Sequence, residues 1–151
     1  MDDIELILTD SEHTEFQRLS SELEKELFER DGELAGFNYE LNKIDFLPTV
    51  VLLFSGDTAV ACGAYREHDF ETVEMKRLYV MPEHRRNDYA SKILSALESL
   101  AKGNEYRYCL LETGKNQPEA IAFYTKHGYK QIQNFGKYTE SSNSVCFRKK
   151  I

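Results

Sequence analysis

No stretch of this chain approaches the roughly 18 apolar residues that a membrane-crossing helix needs. The opening MDDIELILTD carries no leader pattern, so the cytoplasm is the expected compartment and no membrane partner is expected. Cysteine is scarce: Cys62, Cys109 and Cys146 are odd in number, far apart and outside any CxxC or Cys/His spacing. That argues against structural disulfides and a zinc site. His13, His68, His84 and His127 are scattered without ligand spacing, so no metal is expected. Walker-type lysine loops, dinucleotide glycine fingerprints, internal repeats and low-complexity segments are all missing. Positive charge is in deficit too. The balance of 19 Lys+Arg against 26 Asp+Glu leaves −7, which argues against nucleic acid and suits a cationic partner such as an amine.

What is present is the composition of an ordinary globule, 41% hydrophobic and 30% charged over 151 residues. That length suits one domain spanning 1–151, with a core of its own. Glu5 to Leu8 reads as a first strand. Thr9, Asp10 and Ser11 offer N-caps for an amphipathic helix over about 11–30, carried by Phe16, Leu19, Leu23, Leu27 and Phe28. Residues 33–47 read as a loop with a short helix. Thr49 to Phe54, a turn at Ser55-Gly56-Asp57, and Ala59 to Tyr65 form a hairpin, followed by a polar connection over Arg66 to Phe70. The remaining order is a strand over 73–81, a helix from Tyr89 stopped at 102–104, a strand over 108–112 and a helix opened by Pro118. Two strand-like pieces end the chain, at 129–133 and 144–148. Such an order implies one mixed α/β (α+β) sheet, mostly antiparallel, with helices on both faces.

The chain is organised around LYVMPEHRRNDYASKIL. Here a strand breaks at Pro82, a polar basic turn follows, and a helix opens. Unpaired amides and the positive end of the helix dipole both point at such a turn, making it an anion trap. Arg85 and Arg86 add charge suited to phosphate oxygens. A phosphate or diphosphate ligand is expected.

Together with PEAIAFYTKHGY some 35 residues later, this stretch resembles the GNAT superfamily of acyl-CoA N-acetyltransferases. The two landmarks cover roughly half the chain, in the family's order and spacing. The resemblance implies a GNAT-like fold and acetyl-CoA as co-substrate. Its diphosphate would sit on Arg85, Arg86, Asn87, Asp88, Tyr89, Ala90 and Ser91. The resemblance further implies that pantetheine pairs near Val80, that the Leu78 amide donates to the oxyanion, and that Gln117 contacts the coenzyme. One departure stands out: glycine is common in the family where this chain has Arg86 and Asp88. A carboxylate at Asp88 repels phosphate, or caps the helix with its own oxygen.

Acetyl transfer to an amine requires that the amine lose a proton, that the oxyanion find donors and that the thiolate gain a proton. A lysine-like amine, with a pKa of about 10.4, arrives charged. The resemblance implies Glu74 as base, with a pKa raised by burial. The other reading of Glu74 is an ion pair with Lys76 or Arg77, or a solvated strand position. Tyr124 matches the family's acid, the other reading being an aromatic core residue. Glu112, at the end of a strand expected to border the cleft, is a second candidate base or a binder of the substrate cation. Tyr138 is a candidate for the acceptor wall, and Glu33, Glu40 and Asp45 would favour a cation. Cys146 reads as a buried structural cysteine. Two functions follow. The first is an N-acetyltransferase working by direct transfer in a ternary complex, on a small amine or an exposed protein amino group, as monomer or homodimer. The alternative is a catalytically weak GNAT-like CoA-binding or regulatory domain.

Overall fold

The computed structural model describes residues 3–32 and 46–151. The loop and short helix expected over 33–47, with Glu33, Glu40 and Asp45, lie outside the described residues except for Phe46 and Leu47. In chain order the elements are β1 (Ile4–Thr9), α1 (Thr14–Asp31), β2 (Thr49–Ser55), β3 (Thr58–Asp69) and β4 (Thr72–Val80). They continue with α2 (Tyr89–Gly103), β5 (Tyr108–Gly114), α3 (Pro118–Lys126), β6 (Lys130–Ile132) and β7 (Ser144–Lys150). The seven strands form one sheet in the order β1-β2-β3-β4-β5-β7-β6. Every pairing is antiparallel except β4 with β5. No helix among the described residues is long and apolar enough to cross a membrane.

Period-2 alternation divides the apolar residues between two cores. Val51 and Leu53 of β2 face α2, packing with Ile93, Leu94 and Leu97. Val50 and Leu52 face the other way, onto Phe16 and Leu19 of α1. β2 is apolar throughout because helices cover both of its sides. The residues Ile121, Phe123 and Tyr124 of α3 join the α2 side. The helices therefore flank both faces, as the sequence implies.

Element ends differ from expectation where side chains find distant partners. α1 begins at Thr14 rather than 11, with His13 Nδ1 accepting from the Glu15 amide. Ser11 is drawn off to Leu47, whose amide it accepts at 2.7 Å. Asp10 accepts the Glu12 amide outside the helix. The expected polar connection at Arg66–Phe70 is mostly strand, because β3 and β4 keep pairing out to Asp69 and Thr72.

Gly63 on β3 lies beneath α2, and a Cβ there would stand 2.6 Å from Ile93 Cγ2 and 3.0 Å from Leu97 Cδ1. Gly63→Ala is expected to cost roughly 1–3 kcal/mol of stability by overpacking. Denaturant midpoints check this, and an unchanged midpoint would mean that Ile93 repacks freely.

Candidate active site

β4 and β5 are in parallel register only from Thr72–Tyr108 to Glu74–Leu110. Beyond that point a cleft of about 1030 Å³ opens, lined by Met75 to Val80, Glu112 to Gly114, and the starts of α2 and α3. Two strands that diverge leave backbone donors and acceptors unclaimed, which is where an extended ligand can pair. One of these is shaped by a bulge. Between the pairs Ala64–Lys76 and Cys62–Tyr79, β4 carries one residue more than β3. Arg77 takes up the excess at φ 58°, a left-handed conformation that is costly without glycine. Cys62 Sγ donates to the Arg77 carbonyl at 3.3 Å, and the Arg77 guanidinium reaches Glu24 of α1 at 2.9 Å. The bulge takes Leu78 out of pairing with β3.

At the cleft's other end, Arg86 and Asp88 have φ of 69° and 61°. These are the two positions where the resembled family often has glycine. Asp88 makes no side-chain cap, so the capping role considered for it is corrected: a capping side chain goes with an extended backbone, and Asp88 is left-handed. The first amides of α2 therefore face the cleft with no side-chain cap, beside Tyr89, Ala90 and Ser91. This arrangement fits a diphosphate.

The expectation of a free arginine pair is corrected at Arg85. Its Nη2 meets both oxygens of Glu26 at 2.7 and 3.0 Å, and its Nε donates to the Val80 carbonyl at 2.9 Å. Glu26, on α1, thus holds Arg85 in the way a phosphate would. Arg86 lines the cleft without an ion pair to any described residue. Asn87 folds its amide onto the His84 carbonyl at 3.1 Å and does not line the cleft. Ser91 Oγ lies 3.0 Å from His127 Nε2. Buried Gln117 accepts from Arg30 at 2.9 Å, and Arg30 also pairs with Glu119.

Tyr124 is half-buried on the cleft wall, its ring edge-on to Phe123 and Tyr129. Burial first, and then Glu112, push its hydroxyl pKa above the ordinary value. Glu112 lines the cleft and accepts from Ser144 Oγ.

Glu74 is only 1% exposed and is not part of the cleft lining. It sits 3.0 Å from Lys76 Nζ, 3.4 Å from Arg66 Nε and 2.9 Å from the donating Tyr138 hydroxyl. Burial alone would raise its pKa. The Lys76 charge and hydrogen bond, Tyr138 and Arg66 together win, holding the carboxyl below the ordinary range. The expected upward shift is therefore corrected, and the ion pair with Lys76 is present. Arg77 is spoken for by Glu24. Lys76 itself lines the cleft, and burial, despite the attraction of Glu74, brings its ammonium down to about 8. Tyr138 is corrected as well: in its 3-10 turn it is 1% exposed and anchors this network rather than forming a wall.

Sequence reasoning offered Lys76 only as an ion-pair partner of Glu74 and missed that it lines the cleft, although it lies two residues from Glu74 and so shares its face of the strand. It also missed Glu26 and Arg30, whose partners are 59 and 87 residues away. The three cysteines are buried and free. Burial raises the thiol of Cys146 to about 11, as its reading as a structural residue requires.

Residues 8–129 match the model of a family described as the GNAT acetyltransferases. The chain is 30% identical over 100 residues to the uncharacterized N-acetyltransferase YsnE of Bacillus subtilis, a match spanning 65% of this chain and 66% of that protein. A solved Klebsiella pneumoniae structure, assigned as an acyl-CoA N-acyltransferase, is 30% identical. It superposes with a TM-score of 0.77 over 96% of this chain and 97% of its own. A GNAT acetyltransferase from Elizabethkingia anophelis with acetyl-CoA bound shares the fold at 17% identity, with a TM-score of 0.69 and full coverage of both chains.

Proposed function

The chain belongs to the GNAT family of acetyltransferases, and from that premise we propose that it moves an acetyl group from acetyl-CoA to a primary amine by direct transfer in a ternary complex. One observation carries the reading. The β4–β5 opening, the Leu78 bulge and the uncapped start of α2 all face a single cleft. An acetyl-CoA-bound structure of the same fold supports the choice of co-substrate.

In this reading the amides at 89–91 and Arg86 hold the diphosphate, and Gln117 flanks it. The β4 backbone near Val80 aligns the pantetheine arm, which delivers the thioester. The Leu78 amide donates to the carbonyl oxygen as charge gathers there. Glu74 and Lys76 act as one proton-accepting pair, with Lys76 at the cleft surface and Glu74 holding the resulting ammonium. Glu112 borders the incoming amine, and Tyr124 returns a proton to the departing thiolate.

Two features oppose tight coenzyme binding: Asp88 in the phosphate turn and Glu26 on Arg85. They favour the second reading, a catalytically weak coenzyme-binding domain. Calorimetric titration with acetyl-CoA separates the two. Micromolar binding by the unaltered protein is expected. Asp88→Gly is expected to improve affinity by about 1 kcal/mol, roughly fivefold, by removing the repelling charge. Glu26→Gln is expected to act in the same direction by releasing Arg85. Undetectable binding that Asp88→Gly restores would establish the weak-domain reading instead.

A further inference from the structure

The groups around Glu74 are not balanced in charge, and the surplus suggests what the amine acceptor carries. Arg66 of β3, Glu74 and Lys76 of β4, and the Tyr138 hydroxyl meet on one face of the sheet, the face covered by α1. Lys137 joins them, with its ammonium 5.5 Å from the Tyr138 ring centre; Lys76 lies 5.4 Å from the same centre. Three cations thus gather around two carboxylates, Glu74 and Glu112.

Glu74 is largely committed to Lys76 and Tyr138, both buried, and Glu112 accepts from Ser144. Arg66 reaches Glu74 through Nε alone, at 3.4 Å. Its two terminal nitrogens make no hydrogen bond to a described residue, and its side chain is 39% exposed. Lys137 is exposed and makes no ion pair among the described residues. Partial desolvation of its ammonium, and repulsion from Arg66, lower the Lys137 pKa even though Glu74 attracts it. A further cation brought here would meet the same repulsion, whereas an anion would relieve it. A guanidinium presenting two unused donors in a plane is matched by a carboxylate.

We propose that the acceptor is an amino acid, whose carboxylate is held by Arg66 and Lys137 while its amine enters the cleft between Lys76 and Glu112. The proposal rests on the acetyl-transfer reading above and narrows it. Of the two acceptor classes, small amines and exposed protein amino groups, it selects a small amine with a free carboxylate. The α-amine of a protein's first residue has an amide in that place and offers the arginine no charge.

The test uses matched pairs of free amino acids and their carboxamides at saturating acetyl-CoA, with the acetylated product followed directly. Each carboxamide stands in for a protein N-terminus. The acid of a pair is expected to exceed its amide at least 10-fold in kcat/KM. Arg66→Gln and Lys137→Ala, separately and together, are expected to shrink that ratio towards one, with the dissociation constant of acetyl-CoA unchanged. Acids and amides acetylated equally well, or amides preferred, would overturn the assignment and leave the transferase reading intact. Preference for the acid that survives both substitutions would also overturn it. Binding of acetyl-CoA with no amine of any class acetylated would remove the transferase reading and this inference together.

Discussion

Tyr124→Phe is expected to lower kcat about 100-fold or more, the usual worth of a positioned proton donor, while the acetyl-CoA dissociation constant changes less than about threefold. The ring stays in place in phenylalanine, and its packing against Phe123 and Tyr129 with it, so only the hydroxyl is lost. Burial and Glu112 push that hydroxyl's pKa up. It therefore carries its proton through the neutral range, and the variant should differ in rate rather than in pH profile. Single-turnover acetyl transfer and calorimetry check the two halves separately. Equal losses in rate and coenzyme affinity would make Tyr124 a binding residue of the cleft wall.

The hydroxyl is placed by long-range packing, yet it was legible because its surroundings are local. Pro118 opens α3, and Phe123 and Tyr124 fall on the side that meets the core. α2 was legible for the same reason: Tyr89, Ile93, Leu94, Leu97 and Ala101 are buried at the spacing the sequence shows. Even the departures at Arg86 and Asp88 carried information. Both adopt the left-handed backbone that glycine would supply, so the turn keeps its shape and bears the strain. What could not be read was the partner of each charge. Arg85 looks available from its neighbours in sequence, but Glu26 lies one helix away. The direction of the Glu74 pKa shift was misjudged in the same way. Burial and a pairing with Lys76 were foreseen for Glu74, but not the Arg66 guanidinium and Tyr138 hydroxyl from two other elements that help keep it ionised.

That network makes Glu74 the position where stability and chemistry are hardest to separate, and a paired substitution resolves them. The side chains of Glu74 and Lys76 are 2% and 4% exposed. Removing one member of such a pair strands the other's charge, at a cost of about 3–5 kcal/mol. Glu74→Ala should therefore lower the melting temperature by roughly 10 °C in a chain of this size. Glu74→Ala combined with Lys76→Met should recover much of the loss, because no stranded ammonium remains. The pH dependence has a definite sign on each limb. The Glu74 carboxyl lies below its ordinary range, so its contribution is complete above the unfolded carboxylate pKa and fades as pH falls through the folded value. Lys76 titrates near 8 when folded and near 10.5 when unfolded, so between those values the unfolded chain binds more protons. Stability should then rise with pH across that window, a rise that Lys76→Met abolishes. If Glu74 and Lys76 form the proton-accepting pair, the double variant is folded yet slow, its acetyl transfer no longer limited by a group near pH 8. A stable double variant retaining full turnover and the same pH profile would move the base elsewhere in the cleft, with Glu112, which lines it, the next candidate.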